Sequence, residues 1–315
     1  FSSNTIYSNA KYSNFEGNTI TYQSTEVTKS CNAFHVQNTR DTIFINNYIT
    51  NSNVNKDNYG SGFNSPTTTG TGSPIEVSGC IFSGCSGQNG AIFYLNGLNY
   101  DLTITNVTFE KVRNDYSTDK GYLISISDTR NDPKLIFNSC TFSYLESNSK
   151  AGGSIGLWFR GTETSNNKYN MSLTFENSKF EHLYYLSSSY IGGAIQLCGN
   201  KVYNKNTYLT VRGCSFLNVS SQLGGAAITY GSDSQQLIVE SSNFSKAYAT
   251  NSNSKGAIYI EYKDQSLPAI MNNCYFTNSD VASTANGNAI YVTSSSNKKL
   301  TIQNCEFFGC GSTNY

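Results

Sequence analysis

The amino-acid sequence predicts an all-β protein, a single-domain parallel β-helix (a solenoid) that fills residues 1–315 with about nine to ten coils. A fragment of the type Leu300–Phe307 occurs nine times, and the aromatic residues that end its copies are 27–38 residues apart. A second fragment, Gly-Gly-Ala-Ile or a close variant, is interleaved with the first. Apolar residues alternate with polar ones, which predicts three short strands in each coil. The terminal aromatic residues are Tyr48, Phe82, Phe109, Phe142, Phe180, Phe216, Phe244, Phe276 and Phe307.

The first fragment predicts a strand, a sharp corner and a second short strand. In the copy Leu209–Phe216, Leu209 and Val211 alternate with polar residues, and Gly213 separates them from the apolar pair that follows. The corner position holds Gly, Asn or Ser, which tolerate a left-handed backbone or cap a turn with their own side chains. The predicted corner residues are Gly79, Asn106, Ser139, Asn177, Gly213, Ser241, Asn273 and Asn304.

Equivalent positions of successive copies should stack into ladders about 4.8 Å apart, because that is the spacing of neighbouring strands in a sheet. We expect three interior ladders, formed by the leucine position, an Ile/Val/Phe position and the terminal aromatic position. The copy Asp41–Tyr48 is the most degenerate of the nine. The middle ladder is Ile43, Val77, Ile104, Phe137, Phe175, Val211, Val239, Met271 and Ile302.

The second fragment predicts the third strand of each coil, and its small residues allow close approach at the opposite corner. Coil length varies, and we expect loops such as Asn51–Gly72 and Arg160–Asn170 to absorb the difference. A β-propeller is the structural alternative, but its blades need roughly 40–45 residues each and these units are shorter. The copies are Asn89–Ile92, Gly192–Ile195, Gly224–Ala227, Lys255–Ile258 and Gly287–Ile290.

Two tetrapeptides together resemble the repeats of the polymorphic outer-membrane proteins. Those repeats pair a Gly-Gly-Ala-Ile-like tetrapeptide with Phe-x-x-Asn, and here Gly192–Ile195 matches the first, while Phe15–Asn18 and Tyr48–Asn51 are similar to the second. The resemblance covers nearly the whole chain. It implies a surface-exposed or secreted β-helical protein segment, often an adhesive one.

The bulk composition narrows the classes of partner. Charged residues make up 13% of the chain and the formal net charge is zero, which removes the electrostatic argument for nucleic acid or an anionic membrane as partner. No run of eighteen apolar residues occurs, so we expect no membrane span in this chain. Because the sequence stops within a coil, we expect it to be a segment of a longer chain.

Five of the nine cysteines share one ladder position, and we expect them to be small buried thiols that pack as compact apolar residues. Thiols on every second coil would be about 9.6 Å apart, which is beyond the roughly 7 Å Cα limit for a disulfide. Only Cys274 and Cys305 fall on adjacent coils. The remaining members of the ladder position are Cys80, Cys140 and Cys214, with Val107, Ser178 and Ser242 between the cysteines.

Two Cys-x4-Cys pairs stand apart, Cys80 with Cys85 and Cys305 with Cys310. A local disulfide and a pair of free thiols both fit this spacing. Zinc is not expected, because the chain has only two histidines and neither belongs to a set with ligand spacing. We therefore assign no metal and no cofactor.

Four N-glycosylation sequons favour a secreted or cell-surface protein, at Asn106, Asn170, Asn218 and Asn243. Asn170, expected in a loop, and Asn243, expected on an outward position, are the most accessible of the four. Asn106 occupies a corner and is a poorer acceptor. The sequons and the resemblance together predict an extracellular or cell-surface location.

An enzymatic β-helix of the polysaccharide lyase or hydrolase kind would need clustered carboxylates on neighbouring coils. The one acidic concentration surrounds a single coil, and solvated loop charge explains it as well as a calcium or acidic-sugar site does. His182, one coil later, is expected to be exposed in a turn. No nucleophile motif accompanies these residues, so we assign no catalytic residue and predict that the protein is not an enzyme. The cluster is Asp115, Asp119, Asp128 and Asp132 with Arg113 and Arg130.

Outward positions of the first strand suggest how the surface is used. Glu176, Arg212 and Glu240 fall on consecutive coils and predict a ladder of ion pairs that fixes the strand register. The neighbouring outward ladder is β-branched, which fits a plain sheet surface or a lateral contact face. This ladder is Thr42, Glu76, Thr103, Ile136, Thr174, Thr210, Ile238, Ile270 and Thr301.

Tyrosines supply the candidate ligand-contact residues, because an aromatic ring stacks well on a sugar ring, although tyrosine also simply covers sheet surface. The candidates are Tyr184, Tyr185, Tyr190 and Tyr203, which we expect to be exposed around one long loop. The main hypothesis is a non-enzymatic extracellular protein for adhesion to glycans or proteins of a host or cell surface. The alternatives are a filament segment whose partners are other copies of itself, and a lyase- or hydrolase-like enzyme.

Overall fold

The described residues form parallel β-strands that are joined by short bends. The computed structural model describes residues 3–8, 12–22, 31–36, 41–51, 63–65, 75–86, 92–96, 101–114, 124–127, 134–147, 155–160, 169–186, 193–197, 205–231, 234–250, 255–262, 267–281, 287–294 and 299–311. Every regular element within these ranges is a β-strand, and the strands form three parallel sheets. The predicted all-β parallel solenoid is therefore confirmed. Within the same ranges, no helix is long and apolar enough to cross a membrane.

Each sheet takes its strands in chain order, so that the chain passes from sheet to sheet and returns one position further along. Sheet 1 contains the first strand of each repeat and sheet 2 the strand after the corner; sheet 3 contains the third strand. Sheet 1 consists of Tyr12–Glu16, Asp41–Ile45, Ile75–Ser78, Leu102–Thr105, Lys134–Asn138, Tyr169–Glu176, Lys205–Arg212, Ser234–Glu240, Ala269–Asn272 and Leu300–Gln303.

Sheets 2 and 3 complete the coils. Sheet 2 consists of Thr19–Thr21, Tyr48–Thr50, Ile81–Ser83, Thr108–Glu110, Thr141–Ser147, Lys179–Tyr185, Ser215–Ser221, Asn243–Ala249, Tyr275–Thr277 and Glu306–Phe308, with Arg113–Asn114 and Asp280–Val281 at its side. Sheet 3 consists of Ser3–Ser8, Cys31–Val36, Phe63–Ser65, Phe93–Asn96, Ile124–Ser127, Ile155–Arg160, Ile195–Leu197, Ile228–Tyr230, Ile258–Tyr262 and Ile290–Ser294.

The terminal aromatic ladder forms a continuous stack in the core. From Phe82 to Phe307 the phenyl rings of neighbouring sheet 2 strands lie with centroids 4.5–5.6 Å apart and planes within 10° of parallel. All of these rings except Phe307 are buried. The ring spacing matches the strand spacing of a sheet, so stacking and backbone pairing reinforce each other.

The first copy of the repeat is shifted by one residue from its predicted register. Phe44 pairs with Val77 and is buried, whereas Ile43 pairs with Glu76 and is 39% exposed. Ile49, not Tyr48, pairs with Phe82. The run Ile-Phe-Ile at 43–45 is apolar in either phase, so alternation alone does not decide the register; the left-handed residue Asn46 does.

The same shift places Thr42 inside the rod rather than on the outward ladder. Thr42 pairs with Ile75, at the leucine position of the next coil, and its side chain is buried. Its hydroxyl has no hydrogen-bond partner. Ile43 therefore takes the place predicted for Thr42 in the outward ladder of sheet 1, and the ladder continues through Glu76 as expected.

The predicted corner residues all adopt a left-handed backbone, with φ between 48° and 62°. A second left-handed column, which was not predicted, follows five residues later in each of these copies, with φ between 50° and 64°. It bends sheet 2 so that the next residue, for example Leu145 or Leu183, turns into the core. This second corner column is Asn51, Gly84, Lys111, Tyr144, His182, Asn218, Lys246, Asn278 and Gly309.

Glycine at the third corner permits the close approach that the sequence predicts. A Cβ added at Gly193 would collide with the carbonyl oxygen of Gly225 on the next coil, and one at Gly225 would collide with the carbonyl oxygen of Ile228. Asn170, by contrast, does not lie in a loop. It belongs to strand Tyr169–Glu176 and pairs with Asn206, so the strand begins earlier than its apolar alternation indicates.

Candidate functional site

Four polar and aromatic side chains meet at the second corner column, on three adjacent strands of sheet 2. They are Tyr144, His182, Tyr184 and Asn218, and we call them the corner cluster. Tyr144, His182 and Asn218 are the left-handed residues of their strands, with φ of 53°, 56° and 53°. Leu145 pairs with Leu183, so the three left-handed residues occupy equivalent positions of successive coils.

The corner cluster is held by one ring stack and two hydrogen bonds. The rings of Tyr144 and His182 lie 4.8 Å apart between centroids and 11° from parallel. The amide Nδ2 of Asn218 lies 2.9 Å from Nδ1 of His182 and donates to the hydroxyl of Tyr184 at 3.1 Å. Because an amide nitrogen can only donate, Nδ1 of His182 is the acceptor in this contact.

Tyr144 occupies a backbone conformation that its residue type disfavours, whereas histidine and asparagine adopt it more often. A left-handed backbone costs an L-residue with a bulky side chain about 1–2 kcal/mol. Asn and Gly fill the same column at Asn51, Gly84 and Asn278, where they tolerate it better. The stack and the hydrogen bonds offset part of this cost. Strained residues of this kind concentrate at functional sites, which identifies the corner cluster as the candidate site.

The corner cluster presents an open aromatic face with polar groups beside it. Tyr144 is 57% exposed, whereas His182, Tyr184 and Asn218 are half-buried and therefore positioned by their neighbours. Charges around it are of both signs, because Lys111 precedes Tyr144 in the column and Glu181 precedes His182 in the chain. This arrangement suits a neutral ligand with a flat apolar face and hydroxyl groups at its rim.

The structure places the tyrosines of the sequence prediction in three different environments. Tyr184 belongs to the corner cluster. Tyr185 is buried in the core and is not an exposed contact residue, because the left-handed turn at His182 sends Leu183 and Tyr185 inward. Tyr190 and Tyr203 lie outside the described residues.

His182 lies in strand Lys179–Tyr185, not in a turn, and is half-buried rather than exposed. Tyr144 was not identified from the sequence, and Asn218 was identified only as a sequon. The constant offset of five residues from the first corner, as from Ser139 to Tyr144 and from Gly213 to Asn218, is the signal that brings the column together.

Most of the acidic cluster considered in the sequence analysis lies outside the described residues. Asp115, Asp119, Asp128, Arg130 and Asp132 lie outside the described residues, and Arg113 is described only as part of a strand. Among the residues that the structure does describe, no group of three or more His, Cys, Asp and Glu side chains could hold a metal ion.

The ion-pair ladder on sheet 1 forms as the sequence predicts. Arg212 contacts Glu176 through Nη1 at 3.2 Å and Glu240 through Nε at 2.9 Å. The hydrogen bond that Arg212 donates to Glu240 raises the pKa of Arg212 above its usual value. The Arg212 side chain is 52% exposed and the two glutamate side chains are each 33% exposed, so solvent screens the pairs and the ladder contributes register more than stability.

Four of the five thiols at the shared cysteine position are buried as predicted, whereas Cys305 is half-buried. These cysteines also form hydrogen bonds with the backbone, which was not predicted. The thiol of Cys214 donates to the carbonyl oxygens of Phe175 and Arg212, and its backbone N–H donates to the hydroxyl of Ser242 on the next coil. Cys274 likewise donates its N–H to the sulfur of Cys305 at 3.4 Å. The position therefore selects small side chains that bond the backbone, which explains why Ser and Cys both occupy it.

All the cysteines whose side chains are described are free thiols, including those of both Cys-x4-Cys pairs. Burial raises the pKa of Cys80, Cys140, Cys214 and Cys274 to about 11, so these thiols are neutral at physiological pH. Cys305, Cys310 and the buried Cys85 complete the set with described side chains.

The four sequon asparagines differ in accessibility. Asn106 is an exposed corner residue, and Asn243 is exposed at the start of strand Asn243–Ala249. Asn218 is half-buried within the corner cluster. Only the backbone of Asn170 is described.

Comparisons of the chain with protein-family models, with curated proteins and with solved structures give no match. The fold is thus shown by the strand register itself. The resemblance to polymorphic outer-membrane protein repeats continues to rest on the tetrapeptides alone.

Proposed function

We propose that this chain is a non-enzymatic, extracellular or cell-surface β-helix that binds neutral glycans through the corner cluster and so serves adhesion. The observation that carries the proposal is the exposed ring of Tyr144, stacked on the imidazole of His182, which the Asn218 amide joins to the hydroxyl of Tyr184. A rigid aromatic face with adjacent hydrogen-bonding groups is the arrangement that recognises the C–H face and the hydroxyls of a sugar.

The rest of the molecule supports a scaffold role. The stacked parallel coils give a stiff scaffold, and the strands of sheet 2 position the corner cluster more firmly than a loop would. The four sequons and the similarity to polymorphic outer-membrane protein repeats support a location outside the cell. Partners would be glycans, or glycosylated proteins, of a host or neighbouring cell surface.

Binding to an array of neutral oligosaccharides tests the proposal, followed by titration of any sugar retained. Tyr144→Ala should weaken binding on the order of tenfold or more, since base or sugar stacking on an aromatic ring contributes a few kcal/mol at most. Tyr275→Ala is the matched control, because Tyr275 is a 41% exposed tyrosine of the same sheet outside the cluster. Equal losses in both variants, or sugar binding unaffected by Tyr144→Ala, would contradict the assignment.

A filament segment is the second candidate, favoured by the outward β-branched ladder of sheet 1. Ile43 is 39% exposed on this face, and Ile136, Ile238 and Ile270 are half-exposed along it. Apolar residues aligned on a flat parallel sheet can form a lateral contact between copies. Electron microscopy of the natively purified protein distinguishes the two: filaments with a repeat near the strand spacing support a structural polymer, whereas discrete rods favour the glycan-binding role.

A further inference from the structure

We infer that N-glycosylation of Asn218 closes the corner cluster, so that occupancy of this one sequon controls the site. The inference rests on the proposed glycan-binding function for its biological meaning. Its chemical basis is separate, because Asn218-Val219-Ser220 is a sequon and the asparagine is itself the residue that holds His182 and Tyr184 in place.

Both hydrogens of the Asn218 amide nitrogen are directed at hydrogen-bond partners. Nδ2 carries two hydrogens, and the structure directs one at Nδ1 of His182 at 2.9 Å and the other at the Tyr184 hydroxyl at 3.1 Å. N-glycosylation forms a bond from Nδ2 to C1 of the first sugar of a lipid-pyrophosphate-linked oligosaccharide. The C1–O bond to the pyrophosphate breaks, and one amide proton is released. The substituted nitrogen keeps one hydrogen, so one of the two hydrogen bonds must be lost.

The position of the new sugar makes the effect larger than one hydrogen bond. It would be attached directly to the atom that touches His182 and Tyr184, on the same column as Tyr144. The first sugar ring would therefore lie over the polar rim of the cluster. A ligand that needs the Tyr184 hydroxyl or the imidazole would meet the protein's own glycan instead.

The other well-described strand sequon lacks this geometry. Asn243 is exposed, lies on sheet 2 at the start of its strand, and pairs with Ser215 and Tyr275 rather than with a cluster residue. A glycan there would cover open sheet surface. Asn243 therefore offers an internal control for Asn218.

Two matched variants separate the sequons without touching either asparagine. Ser220→Ala removes the acceptor motif of Asn218, and Ser245→Ala removes that of Asn243. The wild-type chain and both variants are secreted from a eukaryotic host, and glycopeptide mass spectrometry measures occupancy at each site. The same chains made without glycosylation, in a bacterial cytoplasm, show whether each variant folds, by circular dichroism.

Modification of His182 by diethyl pyrocarbonate, followed by peptide mapping, reports on the cluster without any ligand. We expect the secreted wild type to be occupied at Asn218 and its His182 to react on the order of tenfold more slowly than in Ser220→Ala, with Ser245→Ala like the wild type. Neutral-glycan binding should follow the same order. If no form binds any glycan, the proposed function fails, while the reactivity of His182 still decides this inference. An unoccupied Asn218, or equal reactivity in wild type and Ser220→Ala, would overturn it.

Discussion

The imidazole of His182 lies parallel to the ring of Tyr144, 4.8 Å away between centroids, although both residues have a left-handed backbone. Tyr144 thus holds a left-handed conformation that asparagine and glycine adopt more readily, and Lys111 and Lys246 hold it elsewhere in the column. The two rings stack at the corner, and Tyr144 remains 57% exposed. Strain and exposure coincide at this point of the rod.

Replacement of a strained residue outside the cluster should stabilise the protein. Lys246 is an exposed left-handed residue with φ of 53° in the same column. Lys246→Asn should raise the free energy of unfolding by about 0.5–1 kcal/mol, because asparagine tolerates this backbone better. Urea denaturation measures the change. Lys179→Asn, on an exposed strand position of the same sheet, is the control and should not stabilise.

Tyr144→Asn should give a smaller gain in stability than Lys246→Asn, or none. The substitution relieves the same backbone strain but loses the stack on His182, which is worth about 0.5–1.5 kcal/mol. The variant should nevertheless lose glycan binding. A gain in stability equal to that of Lys246→Asn would show that the stack contributes nothing.

The phenylalanine stack should dominate the stability of the rod. Phe216 is buried between Phe180 and Phe244, and Phe216→Ala should cost about 3–5 kcal/mol. Phe307 has one described stacking neighbour, Phe276, and is 47% exposed, so Phe307→Ala should cost less than half as much. Chemical denaturation measures the free energy of unfolding of the two variants. Equal costs would contradict the expectation that the loss depends on how deeply the ring is buried.

The sequence predicts the coil well because each of its slots repeats. Residues equivalent to Gly213, Cys214 and Phe216 recur at fixed offsets in successive coils. Periodicity and turn chemistry are therefore enough to predict the strands, the first corner and the aromatic stack. The predicted register of Ile43 and Phe44 was wrong, because a purely apolar run has no alternation to show which side chains face the core. The left-handed residue Asn46 and the pairing of Phe44 with Val77 supply the register.

The candidate site was largely hidden from sequence reasoning for a different reason. The side chains of Tyr144, His182 and Asn218 are chemically unlike one another. They occupy equivalent positions of successive coils only because of the second corner, where the residue type varies from Gly to Tyr. Tyr185 was expected at the surface because it was assigned to a long loop, whereas it lies in strand Lys179–Tyr185 and is buried. The hydrogen bonds of Asn218 join residues 34 and 36 positions apart, which no local pattern can show.

The ion-pair ladder should contribute little and should depend on salt. Arg212→Met should lower the free energy of unfolding by about 0.2–1 kcal/mol at low ionic strength, because it removes two exposed pairs with Glu176 and Glu240. At 1 M salt the difference should nearly vanish, since the screening length falls to about 3 Å. Thermal unfolding at the two salt concentrations measures this. A cost that salt does not change would indicate that the aliphatic part of Arg212, rather than its charge, is responsible.

The buried thiols predict a loss of stability at alkaline pH. The pKa values of Cys80, Cys140, Cys214 and Cys274 rise from 9.0 to about 11 in the folded chain. Between pH 9 and 11 the unfolded chain loses thiol protons that the folded chain retains, so unfolding becomes more favourable as pH rises, by about 1.4 kcal/mol per pKa unit for each thiol. Below pH 9 the thiols contribute no pH dependence.

Cys214→Ser isolates this effect, because serine already fills the equivalent position at Ser178 and Ser242 and bonds the backbone there. Denaturant unfolding at pH 8 and pH 10.5 should show a smaller alkaline loss in Cys214→Ser than in the wild type. In parallel, a thiol reagent at pH 8 should modify the half-buried Cys305 and Cys310 in the folded protein and leave Cys214 unmodified until the chain unfolds. An alkaline loss of the same size in the variant would show that other groups titrate in this range, and rapid modification of Cys214 at pH 8 would show that the cysteine ladder opens without unfolding of the rod.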